Sequence, residues 1–176
     1  MYINAKRCEY NTVMAVAQAM CSAARTAPKT RGIDHLTTAV LSGDDLTTLA
    51  DKLAEMGEDM GRPGFTRDAE NLRDSQALVL IATKEKTRGL NEACRLCHAQ
   101  DCADCAEKNS VCIYNPLDLG IAIGSAVSVA AYARVDSRVM FSAGMAAKEL
   151  DLLGSSFSIV IGIPLSVSGK SPYFDR

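Results

Sequence analysis

Seven cysteines occur in this 176-residue chain, and five of them fall between residues 94 and 112. The segment reads CRLCHAQDCADCAEKNSVC, with thiols at Cys94, Cys97, Cys102, Cys105 and Cys112. The spacing is C-x2-C-x4-C-x2-C-x6-C. Two thiolates two residues apart can reach one centre, because the turn between them points both sulfurs inward. Thiolates are soft ligands, suited to an iron–sulfur cluster or to zinc. The chemistry expected of this segment is metal binding.

The spacing ranks the candidate metals. Cys94, Cys97, Cys102 and Cys112 give C-x2-C-x4-C-x9-C. That order is similar to a short four-iron motif and predicts a 4Fe–4S cluster on these four, with Cys105 as the alternative ligand. Such motifs typically carry glycine after the second cysteine, where this chain has His98, read as a bystander. Cys97, Cys102 and Cys105 also follow the C-x4-C-x2-C order of plant-type two-iron ferredoxins, but the loop is too small for that fold. Zinc is the alternative: two CxxC pairs could close a tetrahedral site with Cys94, Cys97, Cys102 and Cys105. The loop between those pairs is shorter than the usual ribbon spacing. Cys8 and Cys21 stand apart, and Cys21 is expected in the core.

The bulk composition agrees with a reduced setting. Hydrophobic residues make up 48% of the chain, enough for a single-domain core without disulfide staples. The cysteine count is odd and MYINAKRCEY has no apolar signal region, so a cytoplasmic protein is expected. The net charge of −2 gives no reason to propose nucleic acid or an acidic membrane as a partner. The longest weakly charged stretch, 119–133, is about fifteen residues, short of the roughly 20 a membrane span needs. With only two histidines, His35 and His98, histidine-based acid–base catalysis is not expected.

The elements around the cysteine segment follow from hydrophobic period. Helices are predicted over 10–28, capped by Asn11, and over 44–60; GRPG at 61–64 reads as a stop, with a short helical turn over 66–75. Strands are predicted over 35–41, 76–84, 138–142 and 156–165, and a short helix over 144–152. QALVLIATK is nearly continuous in apolar residues, so it should be central and covered on both faces. Asn115-Pro116 opens a helix to about Arg134 that is apolar nearly all round, hence a buried central helix, with Gly120 and Gly124 on one face. The result is a single layered α+β domain over 1–176, with the cysteine-rich segment, about 87–114, as an insertion.

The run NPLDLGIAIGSAVSVAAYARVDSRVMFSAGMAA with the ending GIPLSVSGKSPYFDR resembles the uncharacterised prokaryotic ferredoxin-domain protein family. More distantly, the order of elements resembles the FMN-dependent nitroreductase fold. AARTAPKTRGID is similar to that fold's helix-ending segment, NPLDLGIAIGSAVSVAAYA to its central helix, and GIPLSVSGK to its last strand and basic tail. The resemblance implies FMN near Arg25, Lys29 and Arg31, with Lys170 on the phosphate and the backbone of Ser142, Ala143 and Gly144 edging the flavin ring. It also implies a homodimer. The Arg-x-Ser-x-Arg type phosphate clamp of that fold is not present in MYINAKRCEY, and Gly32 stands near the place of its usual asparagine. Two functions follow as expectations. One is a redox protein carrying an iron–sulfur cluster, with or without FMN, that exchanges electrons with a donor or acceptor protein or reduces a small substrate. The other is a non-catalytic zinc or structural-cluster module on a flavin-free fold.

Overall fold

The computed structural model describes residues 1–174; Asp175 and Arg176, which end the tail quoted above, lie outside the described residues. Four strands form one antiparallel sheet: β1 (Leu36–Leu41), β2 (Ala77–Lys84), β3 (Asp136–Ser137) and β4 (Phe157–Ser166), in the spatial order β1-β2-β4-β3. Six helices accompany it: α1 (Ala5–Thr26), α2 (Asp44–Asp59), α3 (Pro63–Arg73), α4 (Cys102–Glu107), α5 (Tyr114–Tyr132) and α6 (Phe141–Glu149).

The two-residue period of β2 divides the core. Ala77, Val79 and Ile81 join Ile163 and Leu165 of β4 against α1 and α5. Leu78, Leu80 and Ala82 face the other way, with Val160, against α2, α3 and α6. All seven residues from Ala77 to Thr83 are buried, which is why this strand reads as a continuous apolar run. The architecture is a three-layer sandwich, and each fully buried Leu, Ile or Val in it contributes about 1.5–3 kcal/mol.

Several boundaries differ from those the sequence suggests. Asn4, not Asn11, caps α1: its Oδ1 accepts from Arg7 N at 2.9 Å. α2 ends at Asp59, just ahead of GRPG as expected, but a new helix starts inside that motif: Pro63 sits in the first turn of α3, where a missing N–H costs nothing. The stretch expected as a strand over 138–142 gives only one bridge, Met140 N to Gly162 O at 2.8 Å, before α6 begins; the paired residues of β3 lie just ahead of it. Gly144 explains the early helix. A Cβ there would lie 1.9 Å from Val160 O, so α6 rests directly on β4.

The central helix α5 is buried along its sheet side, through Leu119, Ala122, Ala126 and Ala130. Its far side is open. Leu117, Ile121 and Tyr132 are exposed, and a Cβ on Gly120 or Gly124 would meet nothing within 4 Å. These glycines are therefore not consumed by packing within the described chain. No helix among the described residues is long and apolar enough to cross a membrane.

Candidate metal centre

Residues 85–113 link β2 to α5, and the fold pins this connection near both ends. In the orientation that satisfies both its groups, the Asn115 amide donates to Lys86 O at 3.0 Å and accepts from Lys86 N at 3.2 Å. Arg31 Nη1 donates to Arg88 O at 2.7 Å. Within the connection, Asn91–Ala93 makes one 3-10 turn, and Asp101 caps α4 by accepting from Asp104 N at 2.9 Å. Arg95 and His98 hold left-handed backbone, at φ 50° and 63°. Glycine adopts this conformation without strain, so its absence after Cys97 has a local cost.

These turns bring all five clustered cysteines to the wall of one cavity. The cavity among them is small, about 20 Å³. Thr87, Arg88, Leu90, Ala99, Ile113 and Tyr114 complete much of the wall. All seven cysteines of the chain are free. Asn91 N donates to Cys102 Sγ at 3.3 Å, and Cys105 Sγ donates to Ser110 O at 3.3 Å. Burial first, then a hydrogen bond with Cys97 and the proximity of Cys97, Cys112 and Cys102, push the Cys105 thiol up to about 11. Hydrogen bonding from the Ala99 backbone pulls the Cys97 thiol down. Among the described residues, no group of three or more His, Cys, Asp or Glu side chains is arranged to hold a metal ion as it stands. The donor set itself fits a cluster: five soft sulfurs around one nearly dry space.

Behind the cavity lies a pair of charges that the sequence reading missed. Arg88 and Asp118 are each 1% exposed, and Arg88 Nη2 donates to Asp118 Oδ2 at 2.8 Å. Asp118 Oδ1 accepts from Thr30 N at 3.0 Å and Thr30 Oγ1 at 2.8 Å. Arg88 Nη1 donates to Ile33 O at 3.3 Å and to His35 Nδ1. The sequence held one signal: Asp118 is the sole charge in the stretch from Asn115 to Ala133. A lone carboxylate in an apolar helix needs a buried partner.

The seven residues that the flavin resemblance implied are not gathered within one chain. Arg25 pairs with Asp34 at 2.6 Å, Lys29 Nζ donates to Ala24 O at 2.9 Å, and Arg31 holds the Arg88 carbonyl. All three precede β1, at the end of the sheet where Leu36 pairs with Thr83. Lys170 follows β4, at the opposite end, where Leu165 pairs with Ala77. Ser142, Ala143 and Gly144 lie buried on the α2–α3–α6 face, and Ser142 Oγ donates to Asp68 Oδ2 at 2.6 Å.

Comparison with known proteins places this geometry. Residues 108–176 match the family model described as "Uncharacterized protein containing a ferredoxin domain (DUF2148)", a match that begins after four of the five clustered cysteines. Nitroreductase CinD from Lactococcus lactis, in complex with nicotinic acid, superposes with a TM-score of 0.61 at 13% identity, covering 89% of this chain and 81% of that one. A putative NADH dehydrogenase/NAD(P)H nitroreductase from Bacteroides thetaiotaomicron gives 0.58 at 12% identity, covering 89% and 74%. A nitroreductase with bound FMN from Desulfitobacterium hafniense gives 0.57 at 13%, covering 89% and 78%. The fold is nitroreductase-like. An uncharacterized protein from Archaeoglobus fulgidus is 41% identical over 185 aligned residues, which span 100% of this chain and 98% of that protein. On that full-length identity and the family match, the chain belongs to the family of uncharacterized proteins containing a ferredoxin domain.

Proposed function

We propose that this protein is a redox protein whose cofactor is a four-iron cluster seated in the cysteine-lined cavity of a nitroreductase-like domain. One observation carries the reading: a connection of about thirty residues, pinned by Arg31 and Asn115, turns five sulfurs onto one nearly dry space. Cys94, Cys97, Cys102 and Cys112 are the proposed ligands. The Cys105 thiol is engaged as a donor to Ser110 O, which supports its role as the spare. Bound there, a cluster supplies one-electron chemistry. The chain's residues exclude water, orient the thiolates through bonds such as Asn91 N to Cys102, and hold the buried Arg88–Asp118 pair behind the site. An open pocket of about 440 Å³ shares Thr87 and Cys112 with the cavity and adds His35, Lys86 and Asn115. There an electron partner, a small polar substrate or the surface group of a donor protein, would meet the cluster through one wall.

The chain is proposed to act as a homodimer in the cytoplasm, joined through the open face of α5. Gly120 and Gly124 let a second helix approach closely there, between Leu117, Ile121 and Tyr132. Residues 87–114 form the cluster-holding insertion in a single domain over 1–176. An FMN site would draw on two copies of the chain, because Arg31 and Lys170 stand at opposite ends of one sheet. The second reading is a zinc or structural-cluster module without flavin. The observation in its favour is that Arg25, Lys29 and Arg31 are already committed to acceptors within the chain.

An absorption spectrum of anaerobically purified protein, with zinc and FMN quantified on the same sample, tests these readings. A broad brown absorption is expected. A colourless protein holding one zinc per chain would replace the redox reading with the structural one. Flavin bands at one FMN per chain would show that two copies complete a flavin site.

A further inference from the structure

We infer that the Arg88 Nε–H donates a hydrogen bond to sulfur in the cysteine-lined cavity and so raises the reduction potential of the cluster held there. This rests on the cluster reading above. Arg88 lines the cavity and is 1% exposed. Both of its terminal nitrogens are engaged, Nη1 by Ile33 O and His35 Nδ1 and Nη2 by Asp118 Oδ2. Its Nε is buried and has no hydrogen-bond partner among the described residues. A buried N–H left unpaired costs about 1–3 kcal/mol, and such groups are rare enough in folded proteins to require a reason. Among the described residues, the other two buried side-chain atoms without a partner, Ser158 Oγ and Ser166 Oγ, belong to β4 and do not line the cavity.

The fold fixes the guanidinium from three sides, so Nε cannot turn away. Asp118 offsets the charge of Arg88, so on this inference the group acts on the cavity through its one unpaired N–H rather than as a free cation. Hydrogen bonds to cluster or thiolate sulfur favour the reduced, more negative state, and this is one of the ways proteins set cluster potentials. Arg88 is a positioning residue in this account, not a ligand.

The test is a spectroelectrochemical titration of the wild-type cluster and of Arg88→Lys, reconstituted anaerobically. Lysine keeps a cation for Asp118 but has no N–H at the Nε position. The expected result is about a tenfold loss in the reduction equilibrium, which is ~59 mV more negative for one electron, with iron content unchanged. Equal potentials would overturn the inference. Because substitution at a buried pair can loosen the fold, a second measurement leaves the sequence intact: pulsed EPR of the reduced wild-type cluster in protein carrying 15N at arginine Nε. A 15N coupling is expected, and its absence would overturn the inference. If the wild-type protein binds no iron, the cluster reading itself fails. Iron bound with unchanged potentials or no coupling removes only the role of Arg88.

Discussion

Replacing Asp118 with alanine should destabilise the metal-free protein by about 4–5 kcal/mol. Asp118 and Arg88 are each 1% exposed and 2.8 Å apart. Removing one partner of a buried pair costs about 3–5 kcal/mol, because the remaining charge stays in a medium that cannot solvate it. Thr30 also loses the acceptor for its N–H and its hydroxyl. These donors are only part-buried and can turn to water, so they add no more than ~1 kcal/mol. For a chain of this size each kcal/mol moves Tm by about 2–4 °C, so the expected loss is roughly 8–20 °C. The assay is urea and thermal unfolding of the apo protein by circular dichroism. The control is the double variant Arg88→Met with Asp118→Leu. It removes both charges and should recover at least half of the loss, since an apolar pair often replaces a buried ion pair at little net cost. A loss below 1 kcal/mol in Asp118→Ala, or a double variant less stable than the single one, would refute the reasoning.

Four further outcomes follow from the same geometry. Cys97→Ser should lose bound metal while the apo protein melts as wild type does, because the cysteines lie on a connection outside both cores; global unfolding would show that the metal holds the domain together. His98→Gly should keep its iron and gain up to about 1 kcal/mol locally, since glycine relieves the φ of 63°; loss of iron would make His98 a ligand. Gly124→Leu should leave the monomer's unfolding free energy within about 1 kcal/mol of wild type but shift size-exclusion elution from dimer to monomer, because its Cβ position is open; an unchanged dimer would move the interface elsewhere. The imidazole of His35 is held below its ordinary range by burial, then by the Arg88 charge beside it. The fold thus favours the neutral ring. Its contribution is complete above the unfolded value near 6.5 and is lost as pH falls from there toward the folded value. Urea midpoints at pH 7.5 and 5.5 should fall more in wild type than in His35→Gln, and equal falls would remove His35 from the account.

What the sequence revealed, and what it hid, divides along physical lines. β2 and α5 were legible because burial imposes an unmistakable pattern: an unbroken apolar run in QALVLIATK, and an apolar helix after Asn115-Pro116. The cysteine cluster was legible because its thiols are local in sequence. Asn115, expected to open α5, does not stand at its boundary. It lies within the first turn of α5, and its amide grips the Lys86 backbone instead, a contact across the connection that no local rule shows. The strand expected over 138–142 yielded to α6 because Gly144 lets a helix settle on β4 at a distance no side chain would permit. Arg88 carried no local signal, since its partners Ile33, His35 and Asp118 come from segments far away in the chain. The open side of α5 was hidden for a related reason: period and composition show that a face is apolar, not what covers it.

The most direct test of the central claim is the count of iron and acid-labile sulfide per chain in protein isolated without exposure to oxygen. Four cysteine ligands on one cluster predict about four of each, falling to near zero in Cys97→Ser. Iron without sulfide, or a full complement of iron and sulfide retained by Cys97→Ser, would contradict the assignment of the cluster to this cavity.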